Sequence, residues 1–108
     1  MSAVEIGALN RRLVLEAPVE TADGASGVTR SYEAAGTLWA SVEPASTRSA
    51  VEAGSLGATI THRIRIRFYP DITVRHRFRD GARIFRIVAM QEKASRRFLE
   101  IAAEERRD

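Results

Sequence analysis

With 108 residues, 44% of them hydrophobic and 29% charged, the chain has the size of one domain built around a single core. The absence of cysteine excludes disulfides, thiolate chemistry and zinc sites of the cysteine type. No apolar run approaches the roughly 20 residues of a membrane-spanning helix or follows a basic start, so the expected protein is made and kept in the cytoplasm with no membrane partner, and its net charge of +3 is bland in total.

Along the chain the dominant period is two, the spacing of half-buried strands. After an N-terminal arm over residues 1–8, Leu9, Leu13 and Leu15 fall on one side of a first strand. Arg12, Val14 and Glu16 fall on the other, and Pro18 is expected to end the pairing. Ala22-Asp23-Gly24 and Ser26-Gly27 are turn chemistry, followed by a short strand over residues 28–32 and a firmer one over 38–43, closed by Pro44. Trp39, the only tryptophan, is expected there as a core or interface anchor.

Residues 44–59, PASTRSAVEAGSLGAT, lose the period of two. A connection that long in a compact domain is usually functional or disordered. Thr47 is able to cap a short helical turn stopped by Gly54, but so short a helix is marginal alone, and a long flexible loop over 44–60 is expected. Residues 61–68, THRIRIRF, then alternate cleanly, Pro70-Asp71 turns the chain, and 73–79 alternate again, with Val74, His76 and Phe78 opposite Arg75, Arg77 and Arg79. Asp80-Gly81 signals a hairpin into a strand over 82–90. A polar turn over 91–96, a last strand over 97–103 and a charged tail over 104–108 complete the chain. These elements predict an all-β fold, a small antiparallel barrel or sandwich of about six strands with one long inter-strand loop.

The charge is unevenly placed. Residues 1–59 carry four arginines against seven carboxylates, residues 60–90 eight arginines against two, and residues 91–108 balance. If the strands over 61–68 and 73–79 pair, Arg63, Arg65, Arg67, Arg75, Arg77 and Arg79 form one basic plaque, which needs acidic partners or bound anions because like charges placed opposite each other are destabilising. Such a plaque is open to three readings: a solvated face bridged by Glu43, Glu100 and Glu104, a contact for an acidic partner, or a contact for DNA phosphates. Stacking aromatics are scarce on it, which argues against single-strand recognition.

Catalytic and cofactor chemistry finds no foothold. His62 and His76 occupy inward-type positions with no carboxylate partner evident, no serine lies in a strand-turn-helix elbow, and no glycine cluster cradles a phosphate ahead of a helix. No enzyme, metal or cofactor is expected.

Four stretches, IGALNRRLVLEAP (6–18), TLWASVEP (37–44), THRIRIRF (61–68) and FRIVAMQEKASRRFLEIAAEE (85–105), give the chain its likeness to a known family. In this order they resemble the phage head-tail joining family, the small head-completion or stopper proteins of tailed phages and gene transfer agents. The resemblance implies a structural ring component of six or twelve copies, compatible with a monomer in solution, at the head-tail junction of a virion or gene transfer agent particle. Its implied partners are a portal-adaptor complex above, tail terminator or other tail proteins below, and packaged double-stranded DNA. The loop matches a segment that closes the channel in some members, with Arg48 and Glu52 its expected contacts to DNA or a neighbouring copy. In a ring, Arg63, Arg65 and Arg67 would repeat as a belt. Two rivals stay open, another tail structural protein and a small basic nucleic-acid-binding barrel.

Overall fold

The computed structural model describes residues 9–22, 24, 27–45, 59–95 and 97–106, and none of these is helical. Six strands, β1 (Arg11–Ala22), β2 (Val28–Pro44), β3 (His62–Arg67), β4 (Arg77–Asp80), β5 (Arg83–Lys93) and β6 (Phe98–Arg106), form one closed antiparallel barrel. The order around the barrel is β1-β2-β3-β6-β5-β4, and β4 closes it by pairing with β1 through Val14–Arg79, Leu15–Phe78 and Glu16–Arg77. The expected all-β class and strand number hold, and of barrel and sandwich the protein is the barrel.

Alternation explains the interior. Leu13, Leu15, Ile64, Ile66, Phe78, Phe85, Ile87 and Ile101 are wholly or almost wholly removed from water. Burying each such side chain is worth about 1.5–3 kcal/mol. Small Ala40 and Ala103 sit in the same cluster as the two large phenylalanines, the size mixing that fills a narrow barrel. In β5 the register shifts between Ile87 and Ala89, a bulge that moves the inward phase by one residue. Met90, rather than Ala89, therefore packs on the core opposite Ile101.

The first two strands depart from expectation. Pro18 does not end the pairing: β1 continues to Ala22, with Pro18 opposite Tyr32. The proline is tolerated because β1 meets β4 only from Val14 to Glu16, so beyond that point it has one strand neighbour among the described residues. The two strands expected over 28–32 and 38–43 are one strand of 17 residues. Its first part pairs with β1 in a two-stranded ribbon that runs past the barrel wall, consistent with principal extents of 53 × 31 × 27 Å.

The second departure concerns residues 73–79. Only Arg77–Asp80 form a strand. Thr73 Oγ1 accepts the amide of Arg75 at 3.1 Å, and the amide of Thr73 donates to His76 Nδ1 at 3.1 Å, so a local hydroxyl turn holds these residues out of the sheet. The chain thus crosses one end of the barrel between β3 and β4, where Tyr69 and Ile72 pack on the core. The hairpin after β4 is present but shifted by one position, with Asp80 paired to Arg83 and Gly81 at φ 61°. Glu104, Glu105 and Arg106, read as part of a charged tail, belong to β6.

Candidate functional site

The alternation that buries the isoleucines and phenylalanines turns the arginines outward. The expected single plaque does not form. β3 pairs with β2 and β6, β4 with β1 and β5, so two strands separate them in either direction around the barrel. The plaque required β3 and β4 to be a hairpin, and the crossover over the barrel end prevents that.

On the β3 side charge is matched. Arg65 donates to Glu100 Oε2 at 2.5 Å, Arg63 Nε lies 4.0 Å from Glu100 Oε1, and Glu43 stands directly opposite Arg63 in register. Burial pushes the Glu100 carboxyl up, but the hydrogen bond from Arg65 and the charges of Arg63, Arg65 and Lys93 outweigh it and hold the group below the ordinary range. Arg67, at the strand end, is exposed beside Phe68 and Trp39 along a groove of about 680 Å³ that Leu9, Asn10 and Leu38 also line. Trp39 is 55% exposed, which removes the core reading of this residue. The Arg12 guanidinium lies 5.5 Å from its ring centroid.

The β4 side is built differently. One cross-strand row runs Glu16, Arg77, Arg86, Glu104 through β1, β4, β5 and β6, with the two arginines directly opposite each other. The next row places Arg79 opposite Ile84 and Ile84 opposite Arg106. Glu16 is buried and accepts from Arg77 Nε at 2.6 Å and Arg79 Nε at 3.0 Å. Its burial raises the carboxyl, yet those two bonds and charges prevail and lower it. Arg77 also lies 3.8 Å over the Tyr32 ring, so the ribbon is fastened to the barrel wall by a cation–π contact. Arg75, on the turn rather than a strand, reaches Glu20 at 3.7 Å, and Arg30 reaches the same carboxylate at 3.1 Å. Glu104 is likewise shared by Arg86 at 3.2 Å and Arg106 at 3.3 Å.

Near the rim where β2 ends, Arg83 grips Glu105 through bonds of 2.8 and 3.1 Å, and Arg11 pairs with Asp80. His62 meets Phe85 edge-on at 5.3 Å between ring centroids, as an inward histidine should. A carboxylate does face it, against expectation: Glu105 Oε1 lies 3.9 Å from Nε2, a pairing across strands that local sequence does not reveal. Burial, helped by Arg83 and Arg11 against Glu105, pulls the His62 ring below its ordinary value. His76 sits on the turn before β4 instead of inside the barrel. Among the described residues no three histidine or carboxylate groups gather as metal ligands.

Arg48 and Glu52 lie outside the described residues. The described residues on either side of them lie together: the amide of Ala45 donates to the carbonyl of Thr61 at 2.9 Å and Pro44 pairs with His62. Sequence reasoning missed Glu16, Glu20, Glu105 and Tyr32 as arginine partners. The available signal was parity: Glu16 shares the outward phase of Arg12 and Val14 and lies between Leu15 and Ala17.

The sequence model of the phage head completion protein family matches residues 4–106. A protein of Shigella flexneri 2a, known from a solution structure, is 31% identical, with a TM-score of 0.75 over 94% of this chain and 96% of that one. A chain in the virion of a native gene transfer agent particle is 32% identical, with a TM-score of 0.63 over 92% of this chain and 96% of that one. No protein with a curated description matches.

Proposed function

Because the chain belongs to the phage head completion protein family, we propose that it is a structural protein of a phage or gene transfer agent particle, seated as a ring below the portal and adaptor. There it retains packaged DNA and offers the tail its attachment surface. The observation that carries this reading is the family match across all six strands, joined by likeness over most of the chain to a component of a gene transfer agent virion.

Physical features of the barrel support an assembling role. The β2 stretch before Ala40 pairs with β1 alone among the described strands, and such strand edges are templates for further pairing. Trp39 and Phe68, 55% and 44% exposed, give one groove the aromatic anchors typical of protein interfaces. In a ring, Arg63, Arg65 and Arg67 repeat as a belt toward neighbouring proteins or the DNA, and Arg48 and Glu52 contact DNA or the adjacent copy.

The test is electron microscopy of particles from a producing strain that lacks the gene. Tailless heads that have lost DNA, beside complete free tails, are expected. Normally joined, DNA-filled particles would refute the reading.

A further inference from the structure

The β4 side carries an imbalance that neither folding nor the family assignment explains. Three carboxylates, Glu16, Glu20 and Glu104, are each shared by two arginines: Arg77 and Arg79, Arg30 and Arg75, Arg86 and Arg106. Among the described residues, six guanidiniums against three carboxylates leave three positive charges on this face; on the β3 side Arg63 and Arg65 also share one carboxylate, Glu100, but Glu43 stands opposite Arg63 as a second. Five of the six arginines line a single concavity of about 620 Å³ between the ribbon and the barrel wall. Each guanidinium has five N–H donors and, among the described residues, is paired with one carboxylate, so hydrogen-bonding capacity remains. The directly opposed Arg77–Arg86 pair is unfavourable by itself and is relieved by an added anion.

We propose that this concavity receives an acidic, apolar-studded peptide segment of another protein. The choice of occupant follows from its lining. Tyr32, Val74 and Ile84 contribute apolar surface among the arginines, and Val74 is 51% exposed. A volume of this size accommodates a few side chains, and arginine forks match carboxylates in bidentate fashion. A DNA duplex presents a convex, regularly charged backbone whose phosphates suit the arginines but which has no side chain to insert beside Val74 in a concavity. The pocket's chemistry stands on the side chains alone; only the assignment of the segment to a protein of the same particle rests on the proposed function.

The experiment is fluorescence anisotropy of the full chain with a labelled peptide in which glutamates alternate with leucine and serine. The same peptide with glutamine for glutamate, and a labelled DNA duplex, are run beside it. The acidic peptide is expected to bind, the glutamine peptide to bind about tenfold more weakly, and Arg86→Ala and Arg75→Ala each to weaken the acidic peptide about tenfold. Val74→Ser, which leaves every charge in place, is expected to weaken it as well. No peptide binding, unchanged affinity in both arginine variants, tighter binding of the duplex, or self-association lost in Arg86→Ala without peptide binding would each overturn the proposal. None of these outcomes bears on whether particles lacking the protein join their tails, so the two readings fail separately.

Discussion

Glu16→Gln tests whether the β4 side is held by charge. The substitution keeps shape and one carbonyl acceptor, so it removes the carboxylate charge and one of two arginine bonds without opening a cavity. Unit charges about 4 Å apart attract by about 4 kcal/mol at an effective dielectric constant near 20. The Glu16 side chain is 11% exposed, but Arg77 and Arg79 are 23% and 38% exposed, so water screens part of the attraction and receives the released guanidiniums. Losing one charge-assisted hydrogen bond costs about 1.5–3 kcal/mol, which sets an expected destabilisation of about 2 kcal/mol. For a domain of this size that lowers the melting temperature by about 8 °C. Urea unfolding followed by far-ultraviolet circular dichroism measures it. Because the folded-state value of Glu16 is depressed, its contribution is complete above the ordinary value of 4.5 and is lost as pH falls through the depressed value. The gap between wild type and variant must therefore narrow in acid. A difference within about 0.5 kcal/mol at neutral pH, or a gap that does not narrow in acid, would refute the reasoning.

Other outcomes follow from the same packing and charge. Phe85→Ala, at a fully buried position, is expected to cost about 3–5 kcal/mol in the same urea assay. His62 is depressed in the folded state, so its contribution is whole above 6.5 and declines as pH drops below it; His62→Gln should flatten the stability loss between neutral and mildly acidic pH. Trp39→Ala, at an exposed site, is expected to leave monomer stability within about 0.5 kcal/mol while reducing the yield of joined particles, counted by microscopy. The triple replacement of Arg63, Arg65 and Arg67 by alanine is expected to lower that yield too; normal joining would remove the belt from both its roles.

The parts legible in sequence are those with a local cause. Ile64 and Ile66 alternate with arginines because one face of β3 is core, and Phe78, Phe85 and Ile101 announce themselves the same way. The length of β2 was hidden because its outer part, VTRSYEAAG, lies on a ribbon that is mostly exposed on both faces and carries no hydrophobic alternation. Residues 73–76 alternate as a strand would, yet the Thr73 hydroxyl and His76 ring offer the backbone local partners that win over the sheet. The pairing of β4 with β1 is fixed by barrel closure, and no local pattern encodes which strand Arg77 will meet. For that reason the basic segment was legible while its division into a matched side and an unmatched side was not.

The proposed place of the protein, one subunit of a ring at the head-tail junction, is open to cryo-electron microscopy of particles carrying a tagged copy. Ring density is expected between portal and tail, with the six-stranded barrel fitting into it and tag density around it. Tag density confined to the distal tail, or absent from complete particles, would contradict it.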